Sequence, residues 1–232
     1  MIDIHSHVIP NVDDGSTSLD ASIKLLKEAI HEGVTDLICT PHYRKQMFET
    51  EVEKLKVQFS LLVNEAKKNN LPINLYLGQE IYLRRPNALK EYIENNKIIT
   101  INETNWLLLE FSYTNDIDIS EVIYNAKING YNSIIAHIER YQYVTLEQAF
   151  EIKKIGALIQ VNASSINGKY GFFIKRKVLK FIKNGLVDFV ASDIHESREN
   201  GMAKAYNKVV KKFGQEVASK LFKENGKILI KR

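Results

Sequence analysis

Five of the six histidines, His5, His7, His42, His137 and His195, stand at or just past the end of a short apolar run. The carboxylates Asp14, Glu80, Glu110 and Asp193 occupy equivalent places. Neutral imidazoles and carboxylates are borderline-to-hard donors, suited to Zn, Mn or Fe. A His-x-His pair such as His5 and His7 is by itself often only a polar strand edge. Repetition at run after run is what selects metal binding. His31, inside a helical pattern, reads as a surface residue.

The elements that must carry these side chains follow from the hydrophobic pattern. Seven short apolar runs, Ile2 to His5, Asp36 to Thr40, Asn74 to Glu80, Trp106 to Phe111, Ser133 to His137, Leu158 to Asn162 and Asp188 to Ala191, alternate with helical patterns. Strand-then-helix alternation predicts parallel strands joined by crossover helices. Seven such units predict an α/β fold of barrel type, whose chemistry sits at the C-terminal ends of the strands. In the first strand, simple alternation places Ile2 and Ile4 on one face and Asp3, His5 and His7 on the other. Ser18 and Gly33 bracket a helix from Leu19 to Glu32, and Thr50 with Glu53 predicts a capping box opening a helix to Asn69. Further helices are expected at 87–95, 119–129, 146–155, 172–184, 203–213 and 215–222.

Placed on those strand ends, the donors are His5, His7 and Asp14 after the first strand, His42 after the second, Glu80 and Glu110 on the third and fourth, His137 on the fifth, and Asp193 and His195 after the seventh. The sixth offers Gln160 and Asn162. An acid at 110, between Leu109 and Phe111, needs a strong reason to be there. Four carboxylates in one cavity repel one another, and three divalent cations convert their formal −4 to +2. Such a site attracts an anion.

The 232 residues predict a single domain over 1–232, and 44% hydrophobic with 26% charged residues is a globular composition. The net charge of +4 is modest, and lysines are spread over nearly every helix, so nucleic acid is not expected as a partner. No apolar run is long enough for membrane insertion, and no leader pattern opens the chain, which predicts a cytoplasmic location. The lone Cys39 excludes an internal disulfide.

Together, MIDIHSHVIPNVDDG, TPHYRKQMF around His42, GQEIY around Glu80, LLLEFS around Glu110, IIAHIERY around His137 and ASDIH around Asp193 resemble the PHP (polymerase and histidinol phosphatase) superfamily. Within it the sequence is most similar to manganese-dependent protein-tyrosine phosphatases of bacterial capsular and extracellular polysaccharide operons. The resemblance covers essentially the whole chain. It implies a distorted (β/α)7 TIM-like barrel, the PHP fold, holding three divalent metals, with manganese first among Mn, Fe, Zn, Co and Mg. It implies one metal on His5, His7, Glu80 and Asp193, a second on Glu80, Glu110 and His137, and a third on Asp14, His42 and His195. It further implies Arg140, in the HIER stretch, and Arg198 as catalytic phosphate-binding residues, the spacing to Arg198 being one residue short. The implied substrate is a phosphotyrosine protein, the tyrosine-rich C-terminal tail of a tyrosine autokinase. Hydroxide held between two metals would attack the phosphorus in line.

The alternative within the same fold is a small phosphomonoester, as in histidinol phosphatase. The rim residues Tyr43, Arg44, Lys45, Met47 and Phe48, with Tyr82 to Arg85, are expected to decide between the two. A cysteine phosphoenzyme is disfavoured. The position after Cys39 where such enzymes place their arginine holds Lys45, with Arg44 one residue early. Cys39 lies in an apolar run, where it acts as a small buried hydrophobe.

Overall fold

The computed structural model describes residues 1–230. The seven expected runs appear in it as nine strands: β1 (Ile2–Ser6), β2 (Asp36–Cys39), β3 (His42–Tyr43), β4 (Asn74–Leu77), β5 (Glu80–Leu83), β6 (Trp106–Phe111), β7 (Asn132–Ile135), β8 (Leu158–Asn162) and β9 (Phe189–Ala191). Two runs are interrupted. Thr40 and Pro41 part β2 from β3, since proline lacks the N–H a ladder needs, and Gly78 and Gln79 part β4 from β5. All pairings between strands are parallel, in the orders β1-β2-β4 and β3-β5-β6-β7-β8-β9. With the split runs rejoined, seven strands follow in sequence order and curl until the segment just after β9 meets β1 through a parallel bridge between Ser6 and Ile194. This curled parallel sheet is the barrel-type α/β fold that the alternation predicted and the distorted (β/α)7 barrel that the resemblance implied.

The helices are α1 (Leu19–His31), α2 (Val52–Lys68), α3 (Ala88–Glu94), α4 (Ile119–Ile128), α5 (Leu146–Lys154), α6 (Ala163–Asn167), α7 (Gly171–Lys183), α8 (Met202–Phe213), α9 (Gln215–Ser219) and α10 (Lys227–Ile230). Two, α6 and α10, are too short to show periodicity in the sequence. Ser18 caps α1 by accepting from the Ala21 amide, as expected. Thr50 does not cap α2. Its hydroxyl donates instead to the Val12 carbonyl at 3.0 Å, tying the first loop to the start of α2, and Glu51 takes the cap position without a side-chain bond. A capping box forms where none was predicted, between Thr145 and Gln148 at the start of α5.

Alternation along the strands divides the core. Leu107 and Leu109 of β6, Ile135 of β7 and Ile159 and Val161 of β8 face outward to the helices. Leu108, Ile134 and Phe189 face inward, where they pack with Ile2, Ile4 and Ile38. Ile101 and Leu229 join this inner cluster, so the lower half of the barrel is an apolar plug. Simple alternation fails in β1. The register slips between Asp3 and Ser6, three residues there matching two of β2. This bulge re-aims the chain, as bulges do. Ile2 and Ile4 stay in the inner cluster, and His5 and His7 also point inward above them.

The caps give a direct test of these assignments. Thr145→Ala should lower the free energy of unfolding in urea by about 1 kcal/mol. Glu53→Ala, exposed and paired only with Lys56, should change it by less than about 0.5 kcal/mol. The reverse order would contradict the capping described.

Candidate metal centre

Above the apolar plug the barrel interior turns polar, and the donors singled out from the sequence converge there. Glu80 is the focus. Fully buried at the start of β5, its carboxylate lies 3.3 Å from His5, 3.4 Å from His7, 2.8 Å from His42 and 2.9 Å from His137. Nε2 of His5 and Nε2 of His7 face each other at 3.1 Å. Asp193 Oδ1 stands 3.8 Å from His5 and 3.6 Å from His7. Glu110 reaches His42 at 3.6 Å and His137 at 3.8 Å. At the mouth, the half-exposed Asp14 lies 3.6 Å from both His42 and His195.

Four groupings have donor atoms close enough to share an ion: His7, Asp14, His42 and His195; His5, His7 and Asp193; His5, Glu80 and His137; and His42, Glu80 and Glu110. They contain all nine residues named from the sequence. The partition differs in detail from the implied one, because His42 lies between two groupings and Glu80 meets Glu110 across His42 rather than His137. The donor chemistry fits divalent cations, and five of the nine donor residues, His42, Glu80, Glu110, His137 and His195, carry a buried atom without a hydrogen bond. Glu110 Oε2 and His195 Nε2 are buried and make no hydrogen bond, a costly condition for a polar atom.

The electrostatics point the same way. Burial pushes Glu80 upward, but the charges of His5 and His42 and the bonds from His137 and His42 outweigh it and hold the carboxyl well below its ordinary range. Glu110 is pushed up to about 7, first by burial and then by the Glu80 charge. Burial lowers His137 to about 4. Two carboxylates driven apart in this way, beside an imidazole kept neutral, mark a site lacking positive charge.

Local backbone geometry aims the donors. His137 (φ +29°) and Asp193 (φ +53°) are both in the left-handed region, which side chains other than glycine rarely adopt. The His137 amide donates to Gln160 Oε1 at 2.8 Å, and the same oxygen meets His5 Nδ1 at 3.2 Å. Gln160 then donates to Asn162, and Asn162 to Asp193. Strand β8 therefore bonds to three of the candidate donors. Arg198 Nη1 donates to Asp193 Oδ2 at 2.8 Å, and Arg140 Nη1 stands 3.6 Å from the same oxygen. The short spacing to Arg198 does not keep it from the site. The Arg140 guanidinium lies over the rings of Tyr113 and Tyr170, at 4.2 and 4.9 Å.

Several participants were not singled out by sequence reasoning. Asp13 Oδ2 accepts from His7 Nδ1 at 2.7 Å and from the His42 amide at 2.9 Å. The Tyr113 hydroxyl donates to Glu110. Asp3, buried in β1, accepts from the amides of Ser192 and His5 and locks the first strand to the segment after the last. Of these only Asp13 carried a signal, being paired with Asp14 in the DDG turn. Gly15 ends that turn because a Cβ there would lie 2.2 Å from the His7 carbonyl oxygen. Two rim expectations fail. Tyr43 and Leu83 face outward into the core, Tyr43 edge-on to Tyr92, since alternation turns them away when His42 and Tyr82 face the opening. Phe48, stacked on His42 at 5.7 Å, and Arg44, over the Tyr82 ring at 4.2 Å, do form the rim. Cys39 is fully buried among the residues under α1 and α2, and burial pushes its thiol far above the ordinary range.

Comparison with known proteins agrees with this geometry. A family model described as capsular polysaccharide synthesis, CpsB/CapC, matches residues 1–231. The tyrosine-protein phosphatase CpsB of Streptococcus agalactiae is 36% identical over 242 residues, covering 100% of this chain and 98% of that protein. CpsB of Streptococcus pneumoniae is 35% identical over 240 residues, covering 99% and 98%. Among solved structures, those of YwqE from Bacillus subtilis and CpsB from Streptococcus pneumoniae, described as metal-dependent tyrosine phosphatases, match with a TM-score of 0.91. That alignment is 26% identical and covers 99% of this chain and 94% of the other.

The Asp13 contact generates a prediction. A carboxylate on the far nitrogen of a metal-binding imidazole fixes its tautomer and orientation, and its loss typically costs about 10–100-fold in metal affinity. Asp13→Ala should therefore weaken Mn binding by about that factor in calorimetric titration, with the far-UV spectrum unchanged. Wild-type affinity in this variant would show that His7 needs no such support.

Proposed function

The chain belongs to the CpsB/CapC family of capsular polysaccharide synthesis, and from that membership we propose that it is a metal-dependent protein-tyrosine phosphatase. The observation that carries the reading is the gathering of five imidazoles and four carboxylates around Glu80, with two arginines at one edge. We assign His5, His7, Glu80 and Asp193 to one divalent cation, Glu80, Glu110 and His137 to a second, and Asp14, His42 and His195 to a third. Manganese suits this all-nitrogen-and-oxygen donor set.

When bound, the cations supply a hydroxide nucleophile by lowering the pKa of water from about 15.7 to about 7, and they neutralise phosphoryl charge. The chain's own residues do the rest. Asp13 and Gln160 hold His7 and His5 in orientation through their far ring nitrogens. Arg140, kept flat by Tyr113 and Tyr170, and Arg198 take the non-bridging phosphate oxygens in charge-assisted bonds, for which a planar guanidinium is suited. The inner plug closes the cavity from below, so substrate enters only from the mouth at Asp14, Phe48 and Arg140. A phenolate, with a pKa of about 10, leaves more readily than a serine alkoxide and asks little of a general acid.

The finer reading of the substrate is the tyrosine-rich tail of an autokinase in the cytoplasm. Its support is the family's link to capsule synthesis and the rim of Arg44, Tyr82 and Arg84 beside His42. An aromatic and cationic rim suits a phosphotyrosine ring with an acidic peptide flank better than it suits a small amine ester. Among the described residues no helix is long and apolar enough to cross a membrane.

Chelator-stripped protein should be inactive on a phosphotyrosine peptide and recover with Mn. A His5→Ala, His7→Ala double variant should stay below about a thousandth of wild type under any metal loading. Turnover of histidinol phosphate exceeding that of the peptide would move the assignment to small phosphomonoesters. Peptide turnover that persists after stripping would overturn the metal assignment.

A further inference from the structure

We infer that α7 and α8 form a peripheral docking surface for anionic lipid, next to the mouth of the site and separate from its chemistry. In the sequence the lysines look dispersed, but the fold gathers one group of them. Helix α7 carries five cations and no acid; Lys177 turns inward to the Tyr141 carbonyl, while Lys175, Arg176, Lys180 and Lys183 line a surface groove. Helix α8 carries four, Lys204, Lys208, Lys211 and Lys212, and again no acid. The whole chain is only +4, so the remainder of the molecule is net negative and the basicity is concentrated on this side. The two helices share the field: burial, then the neighbouring charges of Lys175 and Lys204, lowers Lys208.

Phe172 and Phe173, in the first turn of α7, are the second observation. They are 69% and 83% exposed, the two most exposed of the large apolar side chains among the described residues. Their rings meet edge to face, 5.9 Å apart at 75°. From Phe172 a shallow groove of ≈ 510 Å³ runs along α7, lined by Leu179 and Phe213 as well as by Lys175, Lys180 and Lys212. Apolar rings at the edge of a cationic helical face are the pattern of interfacial binding, in which the rings enter the headgroup boundary and the lysines meet anionic lipid. A nucleic-acid strand fits less well, because rings set at 75° to each other give no parallel platform for stacked bases. Phe172 is two residues from Tyr170, whose ring lies against Arg140. Docking through this surface therefore brings the mouth of the site close to the lipid headgroups.

Sedimentation with vesicles tests the inference, comparing phosphatidylcholine alone with phosphatidylcholine containing phosphatidylglycerol. Wild type should bind the anionic vesicles at least about tenfold more tightly, and binding should weaken as salt rises. Phe172→Ser with Phe173→Ser, and separately Lys180→Glu with Lys183→Glu and Lys212→Glu, should each lose about tenfold. The Phe pair is exposed, so its variant should melt like wild type and read out lipid contact alone. Equal binding to neutral vesicles, or anionic binding that survives both variants, would overturn the inference. So would a Phe variant that keeps full vesicle binding while wild type binds heparin equally well, since that behaviour belongs to a general polyanion site.

Discussion

Everything in this molecule is arranged around a charge conflict: four carboxylates drawn to one cluster of five imidazoles above an apolar plug. Glu80, with no exposure and four imidazoles within 3.4 Å, sits at its centre. Imidazoles moderate the repulsion only as far as they are protonated, and burial opposes that, as at His137. Glu110, second in line, is left to rise toward neutrality. Divalent cations resolve the conflict completely, because they supply charge that needs no proton and coordinate the atoms left unbonded.

The fold's irregularities serve the same end. A regular β1 would turn His5 and His7 away from the barrel that Ile2 and Ile4 fill, and the bulge lets one strand supply both plug and candidate ligands. Asp3 stitches that strand to the segment after β9, which places Asp193 and His195 opposite His5 and His7. Breaks at Pro41 and Gly78 carry His42 and Glu80 on short separate strands registered directly on each other. Strain at His137 and Asp193 is supported by the bonds running through Gln160 and Asn162. Each device costs some regularity in the sheet and holds one donor in place.

Much of this was legible in the sequence, for a definite reason. Parallel strands are continuous apolar runs, so a His, Asp or Glu at a run's end stands out against its neighbours, as Glu110 does after Leu109 and His137 after Ala136. The seven runs and their parallel setting followed from the same contrast, but the division of two of them into separate strands did not. What escaped depends on contacts distant in sequence. The bulge in β1 exists only through pairing with β2, the Thr50 hydroxyl is claimed by Val12 before it can cap α2, and Tyr43 lost its place on the rim to one step of alternation. Asp13 and Tyr113 look like ordinary loop residues until His7 and Glu110 are seen beside them. The cationic face of α7 and α8 is likewise invisible to composition, since it arises from two unremarkable lysine-bearing helices brought to the borders of one groove.

The central claim is that these nine residues hold several metal ions rather than stabilise the barrel as a charged network. Crystals grown with Mn and measured on both sides of the manganese absorption edge test it most directly. Three anomalous peaks are expected within the cavity, one near His5 and His7, one near Glu110 and His137, and one near Asp14, His42 and His195. No peak there, or a single ion closed by four protein ligands as in a structural site, would contradict it.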